Sequence, residues 1–294
     1  MDFQPLVTVY MPTYNRVELL RRAVDSVLTQ DYKNIELIVV DDKSTDSTHE
    51  YLAKMAKKDS RFKYFINEKN SGACVSRNKA IFAAKGEFIT GLDDDDYFLP
   101  NRVSSFVRFW HKNEKARIAL YSHCYLINSK KKKTKLKRIR SCYYKDLICK
   151  NWIGNQLFTK TIYLKNIDGF DSSLLAWQDL ECWYNILKKM KGHADLLPLC
   201  TYVIDQSHPH ERISINKKEK ILDSYEYICK KHKLNEYERS ILSLQLTPYV
   251  SSPPRLRAMI DSILYVPRLY NINNNYQQSK SMVKRLVTRI YHQI

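Results

Sequence analysis

Short apolar runs alternate with amphipathic stretches through the first hundred residues, and no other feature limits the possible folds as strongly. Residues 6–11 ("LVTVYM"), 35–40 ("IELIVV"), 62–66 ("FKYFI") and 87–92 ("EFITGL") have the composition of buried strands. Between them, 17–30, 44–58 and 71–86 repeat apolar residues at helical spacing, with Asn15 placed to cap the first helix. Strands joined through helices of about 10–15 residues imply βαβ units with a mostly parallel sheet flanked by helices. In such sheets ligands bind beyond the carboxyl ends of the strands.

Three polar clusters fall at those ends: "PTYNR" (12–16), "DDKSTD" (41–46) and "DDDD" (93–96). Four consecutive carboxylates repel one another, so the last cluster needs a reason. A solvated turn ahead of a helix is one, since Asp is favoured near helix starts and Pro100 suits a first turn. The other is a divalent cation, which two carboxylates one residue apart can face while substrate phosphates complete its shell. An EF-hand is excluded, because the loop lacks the alternating ligands and the glycine that such a loop needs.

The 294 residues suffice for one large domain or two. Seven scattered cysteines without a C-x-x-C pair argue against a disulfide framework or a zinc site and fit reduced thiols in the cytoplasm. The start of the chain has no signal-peptide pattern, and nowhere do about 18 apolar residues run together. Residues 1–110 balance sixteen basic against sixteen acidic side chains, whereas 111–150 hold thirteen against two and 208–294 fifteen against seven. A neutral body with basic accessories suggests an anionic partner such as membrane lipid or nucleic acid.

Beyond 117 the pattern gives a strand (117–128), a basic hairpin or loop (129–140), an apolar stretch (154–171), a helix (177–190) and helical signals from 217 on. The last eighteen residues carry an apolar helical stripe with a cationic opposite face and no acid. Such a segment either docks on the core or lies on an anionic bilayer.

The stretches "VTVYMPTYNR", "IELIVVDDKSTDST", "NSGACVSRNKAI", "GEFITGLDDDDYFLPNRV" and "GNQLFTKTIYLKNIDGFDSSLLAWQDLECWYNI" stand in an order that resembles family 2 inverting glycosyltransferases over residues 5–190. The resemblance implies an α/β GT-A fold, Rossmann-like, with a catalytic domain over 1–215. Its nucleotide-binding half would be 1–110 and its acceptor half 111–215, followed by a helical basic C-terminal region at 216–294. It also implies a nucleotide-sugar donor, a divalent cation (Mn²⁺ or Mg²⁺) held by a D-x-D motif, and a carboxylate base.

By similarity Pro12, Thr13 and Tyr14 would flank the nucleobase, and Arg16 belongs with the donor-binding set. Asp42 would accept the uracil N3–H, which favours UDP, and Arg77 would brace the base or a phosphate unless it is a surface ion pair. Asp93 would face ribose or sugar, Asp95 would hold the metal, and Asp94 adjoins the donor, although four aspartates permit a one-residue slip. The base is Asp179. The family's preceding acid is replaced by Gln178. Trp177, Glu181, His208, His210 and Arg212 are candidates for acceptor or phosphate contacts.

The activity so implied is transfer of a hexose or N-acetylhexosamine to a glycan acceptor, lipid-linked, in bacterial polysaccharide or lipopolysaccharide synthesis. The chain would then sit peripherally on the cytoplasmic face of the inner membrane, against an anionic surface and without nucleic acid. Two other readings keep a place at this stage: a metal-dependent nucleotidyltransferase and a basic nucleic-acid-binding protein.

Overall fold

The computed structural model describes residues 4–111, 117–208 and 218–249. Seven elements follow the predicted alternation: β1 (Val7–Thr13), α1 (Val17–Leu28), β2 (Ile35–Asp41), α2 (Thr48–Lys58), β3 (Phe62–Ile66), α3 (Ala73–Ala83) and β4 (Phe88–Gly91). Every residue of β1 and β2 is buried, as expected of central strands covered on both faces. Helix α1 turns Leu20, Ala23, Val24 and Val27 inward, at i, i+3, i+4 and i+7, onto the core with Val9, Leu37 and Leu52. Enclosing each such side chain is worth about 1.5–3 kcal/mol before the entropy of ordering is subtracted.

Asn15 is not the cap of α1. It takes a left-handed φ of 52° and its Oδ1 accepts the Thr45 N–H at 2.7 Å. The Val17 N–H donates instead to Asp46 Oδ2 at 3.1 Å. Asp46 also accepts the Thr48 N–H at the start of α2, so one carboxylate serves two helix starts.

The chain continues through β5 (Tyr97–Phe98), α4 (Arg102–Trp110), β6 (Arg117–Ile127), β7 (Lys133–Leu136), β8 (Ser141–Cys142), α5 (Tyr144–Cys149), β9 (Phe158–Lys160), α6 (Thr161–Asn166), α7 (Gln178–Lys189) and β10 (His193–Asp205). The described strands form one sheet in the order β3-β2-β1-β4-β9-β6-β10-β5, with β7 beside β6 and β8 beside β10. Its first four strands are parallel. The second half is mixed, because β9 enters antiparallel to both β4 and β6. That double reversal points β6, and β10 parallel to it, the same way as β4. The carboxyl ends of β1, β2, β4, β6 and β10 therefore share one rim. Strand β10 escapes the sequence pattern because Pro198 breaks its alternation and its register against β6 shifts between Leu197 and Cys200.

Two compact units partition the chain: Met1–Tyr144, Ile153–Ser173 and Gln178–His210 form the first, and Lys145–Trp152, Leu174–Trp177 and Glu211–Ile294 the second. The second unit contains α8 (Lys218–Lys231) and α9 (Glu236–Ser243). It has a small core of Ala176, Ile221 and Leu246, against which Trp177, Leu222 and Tyr225 pack. Helix α9 opens with a capping box in which Asn235 Oδ1 accepts the Glu238 N–H and Glu238 Oε2 accepts the Asn235 N–H. The basic segment 277–294 lies outside the described residues. Among the described residues no helix is long and apolar enough to cross a membrane.

Candidate active site

Strand β4 ends on a glycine for a steric reason. A Cβ on Gly91 would lie 2.0 Å from Gln156 Oε1 and 2.4 Å from the Tyr10 ring. Just beyond it, the Asp96 N–H donates to the Asp93 carbonyl at 3.0 Å and closes a four-residue turn. This turn answers the repulsion problem, since it aims the four carboxylates in different directions at cations and hydrogen-bond donors, with Arg16 shared by Asp94 and Asp95 and Asn155 by Asp93 and Asp96. Asp96 faces inward, where Oδ2 accepts from Tyr202 Oη (2.8 Å) and Asn155 Nδ2 (3.0 Å) and Oδ1 accepts the Asp205 N–H (2.9 Å). Asp94 is also buried and accepts from Thr13 Oγ1 at 2.8 Å and Arg16 Nη1 at 3.2 Å. Burial pushes the Asp94 pKa up to about 7, against Arg16 and aided by the Asp95 charge.

Asp93 keeps the most exposure of the four and receives Arg77 Nη2 (3.0 Å) and Gln156 Nε2 (3.1 Å) on Oδ1 and Asn155 Nδ2 (3.0 Å) on Oδ2. Asp95 Oδ2 lies 3.3 Å from Arg16 Nη1 and 3.5 Å from His208 Nε2, and its carbonyl accepts from Arg22 Nη2 at 2.6 Å. The carboxylate oxygen suits Mn²⁺ or Mg²⁺, and the imidazole nitrogen beside it favours Mn²⁺, the softer of the two. No group of three or more potential metal ligands occurs among the described residues. The pair therefore fits an ion whose remaining ligands come from substrate phosphates and water rather than a closed protein cage.

Arg77 joins the aspartate turn to the start of α7. It projects from α3, mostly buried, with Nη2 on Asp93 Oδ1, Nη1 on Gln178 Oε1 at 3.1 Å, and its guanidinium 5.2 Å from the centre of the Phe170 ring. It is no surface ion pair. Asp179 follows Gln178 in the first turn of α7, where the helix dipole favours an acid. Burial raises the Asp179 pKa above the ordinary carboxylate range, although the Leu180 N–H and the Arg77 charge oppose it. A raised pKa makes the carboxylate a stronger base than an ordinary aspartate, the direction a proton acceptor needs.

At the end of β1, beside the aspartate turn, Pro12 and Thr13 are buried and Tyr14 presents an exposed ring. Asp42 is buried and holds the chain leading into α3, accepting from Asn67 Nδ2 (2.8 Å) and the Ser71 (2.9 Å) and Gly72 (2.6 Å) N–H groups. A carboxylate with three such bonds keeps capacity for one more donor.

Of the remaining candidates, Glu181 is wholly buried on α7, which suits it to supporting the helix and not to meeting an incoming acceptor. Trp177 lies in the second unit, packed against that unit's small core. His210 and Arg212 lie outside the described residues. Sequence reasoning passed over Asn155 and Gln156, which together donate two bonds to Asp93 and one to Asp96. Two adjacent amides inside the apolar run "WIGNQLF" were their signal, because buried polar groups carry information that buried apolar ones do not. It also passed over Tyr202 and over Arg22, which spans the Asp95 carbonyl and Asp205 Oδ2.

Comparison with known proteins finds several to which the chain is similar. WcaA of Escherichia coli, a glycosyl transferase named for colanic acid biosynthesis, is 36% identical over 257 residues, covering 84% of this chain and 88% of its own. A Campylobacter jejuni protein named GalNAc(5)-diNAcBac-PP-undecaprenol beta-1,3-glucosyltransferase is 40% identical over 105 residues, 35% of this chain and 34% of that one. Among solved structures, Staphylococcus aureus TarS 1-349 in complex with UDP-GlcNAc superposes with a TM-score of 0.65 at 21% identity, covering 87% of this chain and 75% of that one. The mannosyltransferase PcManGT from Pyrobaculum calidifontis, in complex with GDP-Man and Mn²⁺, does so with a TM-score of 0.61 at 19% identity, covering 97% and 86%. The nucleotidyltransferase reading is thereby set aside. Residues 8–169 match the model for glycosyl transferase family 2, and the chain belongs to that family.

Proposed function

We propose that this glycosyltransferase moves a hexose or N-acetylhexosamine from a UDP-sugar to a lipid-linked glycan, with inversion, in the assembly of a bacterial surface polysaccharide. The observation that carries the reading is the Asp93–Arg77–Gln178 bridge, which ties a donor-side carboxylate to the helix start that bears a proton acceptor. The nucleobase stacks on Tyr14, with Pro12 and Thr13 beside it and the N3–H on Asp42. Arg16 and Arg77 supply positive charge toward the diphosphate. Asp93 positions the sugar-ribose end. Asp95 and His208 would hold Mn²⁺ or Mg²⁺, which when bound neutralises charge on the leaving diphosphate.

Asp179 accepts the proton of the acceptor hydroxyl while that oxygen attacks the anomeric carbon from the face opposite the diphosphate. The carbon–oxygen bond to UDP breaks as the new glycosidic bond forms, and the configuration inverts. The lipid-linked acceptor is supported by the undecaprenol named in the Campylobacter relative and by the chain's basic excess. On this reading the enzyme works peripherally at the cytoplasmic face of the inner membrane.

The test is a panel of nucleotide sugars offered to purified protein with Mn²⁺, with Mg²⁺ and with EDTA, reading release of the free nucleotide. UDP-sugars turned over in a metal-dependent way, and lost in Asp95→Asn, are the expected result. Full turnover in EDTA, or preference for a GDP-sugar, overturns the metal or the UDP assignment respectively.

A further inference from the structure

The basic arm between β6 and β7 is the part of the first unit that the reaction does not use. No Asp or Glu occurs between Glu114 and Asp146, and residues 130–140 carry six lysines and two arginines. The arm is ordered. Strand β7 pairs antiparallel with the end of β6, from Cys124↔Leu136 to Ile127↔Lys133. Asn128 builds the turn between them, its Oδ1 accepting the Lys130 (3.1 Å) and Lys132 (2.9 Å) N–H groups while its carbonyl accepts the Lys131 N–H (2.8 Å). Lys131 itself is left-handed, with φ 56°. The turn thus holds Lys130, Lys131, Lys132 and Lys133 at an exposed tip.

Both ends of the arm are anchored in the active-site rim. On the outgoing side Ile127 pairs with Asp205, and the Ile127 carbonyl accepts the Gln206 N–H at 2.7 Å, two residues before His208. Asp205 in turn holds Arg22, whose other nitrogen is on the Asp95 carbonyl. On the returning side the Arg138 guanidinium lies so close over Gly154 that a Cβ there would meet Nη2 at 2.4 Å. Gly154 precedes the amides of Asn155 and Gln156 that hold Asp93. Whatever the lysine tip binds is therefore held beside the rim that carries Asp93 and Asp95.

We propose that this lysine hairpin is an electrostatic docking element for an anionic lipid bilayer, which presents the active-site rim to the membrane surface. The chemistry fits a diffuse negative surface better than the alternatives. Exposed lysines on a tip form no enclosed pocket for a single phosphate, and no large apolar side chain is at hand to insert into acyl chains. Lys133 covers a face of the Tyr125 ring, 4.1 Å from its centre, and the tip sequence SKKKKTK (129–135) has no aromatic to stack on a nucleic-acid base. The inference rests on the lipid-linked acceptor of the proposed reaction for its purpose alone, and its test needs neither nucleotide nor acceptor.

The experiment measures sedimentation of the full chain with phosphatidylglycerol and with phosphatidylcholine vesicles. Wild type is compared with K130Q/K131N/K132Q, in which Asn suits the left-handed position, and with K54Q/K57Q/K58Q on α2 as an equal charge loss elsewhere. Thermal unfolding confirms that each variant is folded. The expected result is binding to the anionic vesicles alone, weakened about 10²-fold in the hairpin variant, from three lysines near the surface. The α2 variant should bind like wild type. Binding should also fade as salt shortens the Debye length from about 30 Å to about 8 Å. No binding by wild type, equal losses in the two variants, or undiminished binding by the hairpin variant overturns the proposal. Tighter capture of an RNA oligonucleotide than of vesicles, with the same dependence on the hairpin, also overturns it in favour of a nucleic-acid partner.

Discussion

Arg77 and Asp93 face each other at 3.0 Å, from a helix and a turn sixteen residues apart, with the second arm of the guanidinium on Gln178. Both side chains are largely buried, so the geometry is held by packing and not by a screened surface attraction. Because a guanidinium can serve two acceptors in fixed directions and an ammonium cannot, Arg77→Lys keeps the charge and loses the bridge. The variant should fold, with kcat/KM lowered on the order of 10²-fold, the size associated with a misplacement of about 1 Å. Steady-state kinetics with the donor found in the nucleotide-sugar panel decides it. An unchanged kcat/KM would show that the bridge positions nothing.

Asp179→Asn separates chemistry from binding. Loss of a general base lowers turnover by about 10²–10⁴-fold while affinity for UDP stays near that of wild type. The wild-type kcat should fall as pH drops through the raised pKa of Asp179, placing the acid limb above the ordinary carboxylate range. Stability moves the opposite way. A carboxyl whose folded pKa lies above its unfolded value is most favourable to the fold when protonated, below the unfolded pKa, and becomes a liability as pH rises through the folded pKa. The Asn variant should therefore melt higher than wild type at neutral pH, measured by calorimetry. A lower melting temperature with unaltered turnover would make Asp179 a structural acid.

The parts of this molecule set by local rules were readable in its sequence. β1, β2 and their helices follow from buried β-branched runs and helical spacing, and the rim from where those strands stop, whereas β3, expected to be buried, ends the sheet with only Phe62 enclosed. Asp93 and Asp95 could be singled out because a rim concentrates ligands, whereas the inward turn of Asp94 and Asp96 depends on Thr13, Tyr202 and Asp205, up to 109 residues away. Arg77 looked like any helix arginine until Phe170 and Gln178 closed over it. Asn15 shows the same limit at a smaller scale, since its cap was taken over by Asp46 from another loop.

Asn155 offers one amide nitrogen to Asp93, Asp96 and Tyr202, at 3.0, 3.0 and 3.1 Å. Asn155→Asp has the same shape but sets a third carboxylate against two. Loss of stability on the order of 2–3 kcal/mol is expected, since charge-assisted bonds are replaced by repulsion. Urea unfolding gives the value, and UDP affinity should fall with it. An undiminished unfolding free energy would mean that Asn155 is dispensable to the turn.

Glu36 tests the scaffold apart from the site. Its carboxylate, buried at the second position of β2, accepts from Thr8 Oγ1 (2.6 Å), from the Lys85 and Gly86 N–H groups (2.5 and 3.0 Å), and from Lys63 Nζ (2.8 Å). It thus ties β1, β2, β3 and the approach to β4 together. Burial alone would raise its pKa, but the Lys63 and Thr8 bonds and the Lys85 N–H hold it below the usual value. Glu36→Gln puts an amide nitrogen among donors and should cost about 2–3 kcal/mol at neutral pH. With the folded pKa below the unfolded one, near 4.3 in a free chain, the charge stabilises fully above that value. The contribution disappears as pH falls through it toward the folded pKa. The gap between wild type and variant in urea unfolding should accordingly be constant around neutrality and narrow below about pH 4. A gap that stays the same in acid would assign the loss to shape and not to charge.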